Sequence, residues 1–354
     1  MGLKILHSAD WHLDSPFAGF TEKQRQFLKE EQRKIPAMVA QLCIREDCDL
    51  MLLAGDLFDG EPTRETLDNL KRELEHCGVP VLIAPGNHDF CAHGSPWLEE
   101  HWPDNVFVFT GGLESVTIHG LDCRVYGAAF RSMDCPSLLE NFQAQGDEKY
   151  CVAVLHGDPM QRNSPYNPVT NLQVRNSGLD YLALGHVHKA GAFRSGETLC
   201  AWPGCPMGRG WDETGDKGVC IVTLEEDARI QAVSLPTPRF HDLEAEVRED
   251  AAAAVDTALP AVPGNDFYRI TLTGSGEVDL EKLQRQFIAF PNLQLRDRME
   301  PPVEIWEDTD KDTLEGIYFG MLRRAMEQDP ENARRIELAA EISRKLLKGR
   351  EVKL

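Results

Sequence analysis

Long apolar runs and paired-cysteine motifs are both absent from this sequence of 354 residues. No segment approaches the roughly 20 consecutive apolar residues that a membrane-spanning helix needs. The N-terminus enters a predicted strand almost at once, which leaves no room for a secretory leader, so we expect a cytoplasmic protein. None of the ten cysteines belongs to a Cys-x-x-Cys pair, and most lie inside apolar patterns. We therefore expect reduced structural thiols rather than disulfides or a zinc site.

Basic residues are scarce as well. The chain has 37 Lys and Arg against 58 Asp and Glu, a net charge of −21. This balance argues against a DNA-binding protein, which usually presents a basic surface. Bound divalent ions would add positive charge where it is needed. The end of the chain also differs, because the segment 334–353 has seven basic residues (Arg334, Arg335, Arg344, Lys345, Lys348, Arg350 and Lys353) against three acidic ones (Glu337, Glu341 and Glu351).

The length exceeds what one ordinary core supports and indicates two or three domains. Apolar strand-like runs alternate with helical patterns through residues 1–237, the βαβα rhythm of a sheet covered by helices. Prolines at 236 and 238 suggest a boundary there. We expect an α/β domain over 1–237, a small α+β domain over 238–302 and a helical tail over 303–354.

Individual elements are predicted from the same patterns. Residues 21–45 are helical in pattern, with Pro36 opening a second helix at its first turn. A third helix is predicted over 65–77, ended by Gly78. Residues 158–174 are rich in Asn, Pro and Ser and are expected to form a loop. The last strand of the domain is expected at Gly218–Leu224.

Five predicted strands are followed at once by Asp, Asn or His. The central one, 50–54, is uncharged and leads into Gly55-Asp56, so it reads as a strand buried on both faces. Open α/β sheets collect their ligands at the carboxyl ends of the strands, so we expect these polar side chains to meet there. They are Asp10, His12, Asp56, Asn87, His156, His186 and His188.

These seven side chains offer oxygen and imidazole ligands and no thiolate. This set favours two divalent cations, with Mn²⁺ first and Fe or Zn as alternatives, and Asp56 is the candidate bridge. A single Gly-Asp or His-x-His is more often a turn or a packed surface pair. Five such signals occur in order, each after a predicted strand. Turns and packed surface pairs are therefore a poor explanation of the whole set.

The order Asp-x-His, Gly-Asp-x-x-Asp, Gly-Asn-His-Asp, His-Gly and Gly-His-x-His resembles the calcineurin-like metallophosphoesterases. Residues 7–13 resemble the opening of the SbcD-type DNA repair exonuclease family. Residues 14–17, 181–188 and 203–209 resemble its YhaO-type branch more closely. The resemblance implies a four-layer αββα metallophosphoesterase sandwich, a small α+β capping domain and a helical C-terminal tail.

The resemblance also implies the ligand sets. One ion would be held by Asp10, His12, Asp56 and His188, and the other by Asp56, Asn87, His156 and His186. Hydrolysis would use a hydroxide that bridges both ions. His88 would protonate the leaving oxygen as a catalytic acid, and Asp59 would orient His88. The alternative is a purely structural role for Asp59, as the cap of the following turn.

By the same resemblance the chain is a metal-dependent DNA exonuclease or endonuclease, the nuclease subunit of a DNA repair complex. Its partners would be DNA and an SMC-like coiled-coil ATPase on which the tail docks, and helices of 21–45 would form a homodimer. One alternative is a phosphoesterase for nucleotides or other small phosphodiesters, which the acidic balance favours. Another is a non-catalytic DNA-end or ATPase-binding scaffold, although no ligand position is missing.

Several neighbouring residues are expected to have structural roles. Asp89 is left out of the site, and His7 is expected to face the core. Trp11 and Tyr166 are candidates for base stacking, with packing as the favoured reading. Arg162 and Arg209 lie on loops that follow ligand strands, where phosphate contact and an ordinary surface role are both open.

Overall fold

The computed structural model describes residues 2–301 and 304–349. These residues form two compact units: unit 1 comprises those up to 241 together with 265–267, and unit 2 comprises 242–264 and those from 268 onward. The three-domain assignment stays a prediction. Residues 302 and 303, where its second boundary falls, and tail residues 350–354 lie outside the described residues.

The first sheet of unit 1 begins with four parallel strands, β1 to β4. Two further strands, β11 and β12, extend it beside β1, and β11 is antiparallel to both of its neighbours. The strand order is β12-β11-β1-β2-β3-β4. The bounds are β1 (Leu3–Ser8), β2 (Leu50–Leu53), β3 (Val81–Ile83), β4 (Val106–Val108), β11 (Gly218–Leu224) and β12 (Arg229–Ser234).

The second sheet of unit 1 has six strands in the order β5-β6-β7-β8-β10-β9. Its middle strands, β6, β7, β8 and β10, run parallel, and the edge strands β5 and β9 are antiparallel to their neighbours. The bounds are β5 (Glu114–Ile118), β6 (Cys123–Gly127), β7 (Tyr150–His156), β8 (Tyr181–Gly185), β9 (Gly191–Ser195) and β10 (Thr198–Trp202).

Helices cover the outer faces of the two sheets, which gives the four-layer αββα sandwich. Between the sheets, Leu52 of β2 belongs to one buried cluster with Val152 of β7. On the other side of β2, Met51 packs with Leu70 of a helix, and Val174 covers the second sheet from its outer side. The helices are α1 (Glu22–Gln32), α2 (Ile35–Arg45), α3 (Arg64–Cys77), α4 (Pro96–Glu99) and α5 (Asn171–Asn176).

Helix ends follow the local sequence. Thr21 and Gln24 form a capping box that begins α1, and Pro36 lies in the first turn of α2. The helix α3 ends at Gly78, whose φ of 70° is the left-handed conformation that glycine adopts without strain. These three helices lie where the sequence predicts them, and they form the layer over the first sheet.

Unit 2 contains a three-stranded sheet in the order β13-β14-β15 together with the helices α6 to α9. Ile270 and Leu272 of its central strand are buried against Val255 and Leu283 of two helices. The last two helices pack on each other through Phe319, which is fully buried. The bounds are β13 (Phe240–Val247), α6 (Ala251–Ala258), β14 (Phe267–Gly274), α7 (Leu280–Gln286), β15 (Leu293–Asp297), α8 (Leu314–Gln328) and α9 (Ala333–Leu347).

Two expectations about elements are wrong. The segment 158–174 is not all loop, because Thr170 and Gln173 form a capping box that begins α5. Gly218–Leu224 is not the last strand, because β12 pairs with it. Most side chains of β12 are exposed, so no apolar pattern marks this edge strand.

The described residues contain no helix that is both long and apolar enough to cross a membrane. All ten cysteines are described and none forms a disulfide. Nine of them are buried and Cys151 is half-buried, as expected for structural thiols.

Candidate metal centre

The loops that follow β1 and β2 are joined by backbone hydrogen bonds. The amide of Asp10 donates to the carbonyl oxygen of Gly55 at 3.0 Å, and the amide of His12 donates to that of Asp56 at 2.9 Å. Because the two strands are parallel neighbours, their carboxyl ends lie at the same edge of the sheet. The structure thus brings Asp10, His12 and Asp56 together, and all three are almost fully buried.

Four of the seven predicted ligands have a backbone conformation that non-glycine residues seldom adopt. The φ angles are 56° at Asp10, 46° at His12, 51° at Asp56 and 93° at His186. Such strain costs of order 1–3 kcal/mol per residue and persists where the surrounding structure enforces it, commonly at functional sites. Each of these strained residues follows the end of a strand, and its side chain lies close to other candidate ligands.

Asn87, His156 and His186 form one group, which we call the Asn87 cluster. Oδ1 of Asn87 lies 2.9 Å from Nε2 of His156 and 3.3 Å from Nδ1 of His186. Nδ1 of His156 donates to the carbonyl oxygen of Ala54 at 2.9 Å, so in a neutral imidazole Nε2 carries the lone pair. Two acceptor atoms then face each other, and Oδ2 of Asp56 is 3.4 Å away. A proton or a cation is needed between them.

Asp10, His12 and His188 form a second group, the Asp10 cluster. Nε2 of His12 lies 3.2 Å from Nε2 of His188, and the latter is 4.0 Å from Oδ1 of Asp10. Oδ2 of Asp56 is 3.7 Å from Nε2 of His12. The Asp56 carboxylate therefore lies within 4 Å of a histidine from each cluster, which is the position that a bridging ligand requires.

The carboxylates and imidazoles of the two clusters shift each other's ionisation. Burial disfavours the imidazolium of His156, but the charge and hydrogen bond of Asp56 outweigh burial and raise the pKa of His156 to about 9. Burial likewise opposes the Asp56 carboxylate, yet His156 keeps the pKa of Asp56 well below its usual range. Burial and then the charge of His156 lower the pKa of His186 to about 4. The pocket thus holds an ionised carboxylate and attracts positive charge.

The donor chemistry of both clusters fits divalent cations. Carboxylate, amide oxygen and imidazole are all represented, and no thiol belongs to either cluster. Such ligands suit Mn, Fe or Zn in open coordination sites. The structure brings all seven predicted ligands into these two groups around Asp56, and their assignment as ligands stays a prediction.

His88 lies beside the two clusters and is held by Asp59. Its Nδ1 is 3.2 Å from Oδ1 of Asp59, whose other oxygen accepts a hydrogen bond of 3.0 Å from the hydroxyl of Ser15. The hydrogen bond to Asp59 raises the pKa of His88. The His88 side chain is 42% exposed, so a substrate can reach it while a charged form is favoured.

Asp89 has a structural role that supports the site. Its carboxylate accepts hydrogen bonds from the amides of Gly86, Asp56, Leu57 and Phe58. Burial, followed by the charge of Asp56, raises the pKa of Asp89 to about 7. Asp89 therefore ties the loop after β3 to the loop after β2.

Four other residues that the sequence analysis considered lie in different surroundings. His7 is buried against the hydroxyl of Tyr181 and the carbonyl oxygen of Leu184, and burial lowers the pKa of His7 to about 3. Trp11 is 1% exposed, which leaves no face for a base. The ring of Tyr166 lies 4.8 Å from that of His186, and Arg162 is exposed to solvent.

Two further residues lie at the site, and the sequence analysis named only one of them, Arg209. Glu213, which we did not single out, lies 2.6 Å through Oε1 from Nδ1 of His188. The Arg209 guanidinium bonds the same carboxylate at 2.8 Å. Glu213 lies in the irregular loop between β10 and β11, and no strand or motif precedes it to mark it in the sequence.

Comparison with known proteins places these residues in a family. The model of the calcineurin-like phosphoesterase family matches residues 3–190. The chain is 31% identical over 296 residues to the uncharacterized metallophosphoesterase YhaO of Bacillus subtilis, an alignment that covers 77% of this chain and 69% of that protein. It is 22% identical over 373 residues to the SbcD component of the nuclease SbcCD of Staphylococcus epidermidis, which covers 92% of this chain and 95% of that protein. A dimetal phosphatase from Danio rerio superposes with a TM-score of 0.43 at 13% identity, over 66% of this chain and 96% of that one.

Proposed function

Since this chain belongs to the calcineurin-like phosphoesterase family, we propose that it is a DNA exonuclease or endonuclease in a cytoplasmic DNA repair complex. Family membership implies phosphoester hydrolysis at a dinuclear metal centre. The observation that carries the step to DNA is the similarity to the SbcD component of a nuclease over 92% of this chain. That similarity extends beyond the residues that the family model matches, into the parts of the chain that follow the sandwich.

The two clusters are the proposed metal sites. One ion would be held by the Asp10 cluster and Asp56 and the other by the Asn87 cluster and Asp56, and Mn²⁺ is the proposed native metal. When bound, the two ions supply Lewis acidity toward the oxygens of the phosphodiester. The buried pair of Asn87 and His156 supports this assignment, because with a neutral His156 its two facing acceptor atoms need a cation or a proton between them.

His88 is the proposed catalytic acid. Asp59 accepts from Nδ1 of His88, which leaves Nε2 as the nitrogen that gives its proton to the leaving oxygen. The hydrogen bond to the Asp59 carboxylate raises the pKa of His88 and so favours the protonated imidazolium that this role requires. The hydroxyl of Ser15 donates to the other oxygen of the Asp59 carboxylate and helps to position it.

Unit 2 carries the proposed partner surface. Its last two helices, α8 and α9, keep large apolar side chains in solvent: Leu314 is 87% exposed and Met321 is 61% exposed. Exposed apolar patches of this kind are typical of interaction sites. We assign them to docking of the tail, 303–354, on an SMC-like coiled-coil ATPase. The domain over 1–237 is the nuclease, 238–302 is the capping domain, and helices α1 and α2 are the proposed homodimer contact.

A second candidate is hydrolysis of nucleotides or other small phosphodiesters. The net charge of −21 favours it, because an acidic surface repels a polyanion more strongly than a single phosphodiester. The chemistry at the two clusters would be unchanged, and only the substrate would differ.

One assay separates the two candidates. The purified chain, loaded with Mn²⁺, is incubated with labelled duplex DNA, with single-stranded DNA and with bis-p-nitrophenyl phosphate. We expect DNA to be degraded, and we expect no cleavage of any substrate without the metal. Hydrolysis of the small ester without any cleavage of DNA, alone or with an ATPase partner, would favour the second candidate.

A further inference from the structure

The carboxylate of Glu213 links a loop to the Asp10 cluster. The Glu213 residue is 5% exposed, and its Oε1 lies 2.6 Å from Nδ1 of His188. Nη2 of Arg209 lies farther from the same nitrogen, at 3.1 Å. Because the nearer partner is an ionised carboxylate, which only accepts hydrogen bonds, Nδ1 carries the proton and, in the neutral imidazole, Nε2 of His188 carries the lone pair. That Nε2 is the atom that faces His12 and Asp10.

The rest of the Glu213 carboxylate is also occupied. Arg209 donates to Oε1 through Nη2 at 2.8 Å, and its backbone amide donates to Oε2 at 2.7 Å. The thiol of Cys205 lies 3.8 Å from Oε2. The backbone amide of Arg209 holds the carboxylate independently of the guanidinium, so Glu213 stays against Nδ1 of His188 and fixes the orientation of the imidazole as well as its tautomer.

We propose that Glu213 is a positioning residue that sets the metal affinity of the Asp10 cluster through His188. This inference rests on the proposed metal centre and adds a residue to it. A charged acceptor on the far nitrogen makes an imidazole a stronger metal ligand, and loss of such a partner typically weakens metal binding by about 10–100-fold. His156 of the Asn87 cluster differs, because its Nδ1 donates to a backbone carbonyl and does not depend on Glu213.

The opposing interpretation is that Glu213 only pairs with Arg209 and holds the loop. The two interpretations differ in what Arg209 does. If Glu213 acts on His188 directly, removal of the guanidinium leaves the carboxylate free for His188 and removes a positive charge near the cations. Metal affinity should then be retained or rise. If Glu213 matters only through the ion pair, loss of either partner should have the same effect.

Calorimetric titration of the metal-depleted full chain with MnCl₂ tests the proposal. We expect the wild type to bind two ions, and Glu213→Gln to bind one of them about 10–100-fold more weakly with the other unchanged. In electron paramagnetic resonance, the spin-coupled signal of the wild type at two equivalents should give way to a mononuclear signal. Glutamine keeps the size of the side chain, and the thermal unfolding midpoint of the metal-depleted variant shows that it is folded.

Two variants complete the design. Glu148→Gln is the matched control, because Glu148 is also bonded by an arginine, Arg124, through Nε at 2.9 Å and Nη2 at 2.7 Å. It contacts neither cluster and should bind two ions normally. Arg209→Gln keeps the backbone amide that bonds Glu213 and should therefore retain both affinities. A loss of affinity in this variant would count against the proposal even if Glu213→Gln does not fold.

The outcomes are distinct. Unchanged Mn²⁺ binding by folded Glu213→Gln would overturn the role of Glu213 and leave the metal centre intact. Equal losses of affinity in Arg209→Gln and Glu213→Gln would also overturn it in favour of the ion-pair interpretation. Failure of the wild type to bind Mn²⁺ would overturn the proposed metal centre and this inference with it.

Discussion

Asp56 is the residue on which both clusters depend. Its carboxylate is within 4 Å of His12 on one side and of His156 on the other. We expect Asp56→Asn to weaken the binding of both ions by more than the about 100-fold that loss of an outer partner costs, because the proposed shared ligand is removed. Hydrolysis of bis-p-nitrophenyl phosphate and Mn²⁺ titration should fall together.

The control for this change is Asp180→Asn. Asp180 lies away from both clusters, and it accepts from the amide of Cys151 at the opposite end of β8 from His186. Its variant should keep both ions. Two-ion binding by Asp56→Asn at wild-type affinity would contradict the bridging role.

His88 should affect turnover without affecting the metals. If it donates the proton to the leaving oxygen, His88→Gln should lower kcat by about 10²–10⁴-fold. Mn²⁺ binding should be unchanged, because His88 is not among the seven proposed ligands. Steady-state kinetics on DNA and on the small ester provide the measurement.

His76→Gln is the comparison, since His76 is an exposed histidine in the last turn of α3. It should behave as the wild type. Should His88→Gln lose a metal ion while turnover per bound pair stays normal, His88 would be a ligand rather than an acid.

The seven candidate ligands could be read from the sequence because each closely follows a strand that an apolar run predicts. Glu213 could not, because its contact with His188 spans 25 positions and depends on the course of an irregular loop. Asp89 was kept out of the ligand set, but its four amide partners depend on how two loops approach each other. Side chains at strand ends are thus predictable, and loop-to-loop contacts are not.

At the scale of elements, the turn after β3 leaves no room for a side chain at Gly86. A Cβ on Gly86 would lie 2.2 Å from Oδ1 of Asp56 and 2.7 Å from its amide nitrogen. We expect Gly86→Ala to displace the Asp56 loop, to cost about 1–3 kcal/mol of stability and to weaken Mn²⁺ binding. Denaturant unfolding and metal titration measure the two effects.

Gly112→Ala is the matched control, because a Cβ at Gly112 meets nothing within 4 Å. Neither glycine has a positive φ, so the comparison isolates steric contact from backbone conformation. Equal stability and metal binding in the two variants would contradict the tight packing around Asp56.

The elements that were predicted correctly differ from the missed strand β12 in their amphipathic pattern. The helices α1, α2 and α3 carry clear start or stop signals and one apolar face, and strands β1, β2 and β3 are buried apolar runs. The strand β12 has mostly exposed side chains, so only its pairing with β11 makes it a strand. Local sequence specifies the first kind, whereas tertiary pairing specifies the second.

At the scale of the whole molecule, the net charge of −21 would limit how the proposed DNA substrate is held. If the bound ions supply most of the positive charge, few phosphates are neutralised by lysine and arginine. For Z contacts the slope of log K against log salt is about −0.9Z, so about two or three contacts give a slope of about −2 to −3. Fluorescence anisotropy with labelled duplex DNA in Mn²⁺ measures this slope.

Binding should also disappear when the metal is removed with a chelator. A slope of about −6 or steeper, or unchanged binding in the chelator, would mean that an extended basic surface holds the DNA. In that case a local basic surface of the protein would have to offset its overall negative charge.

The most direct measurement of the proposed centre is anomalous diffraction from crystals soaked in MnCl₂, recorded near the manganese absorption edge. We expect two peaks, one against Asp10, His12 and His188 and the other against Asn87, His156 and His186, both touching the carboxylate of Asp56. Absence of manganese from this pocket, or peaks bound only to other side chains, would contradict the dinuclear centre and the hydrolytic function that depends on it.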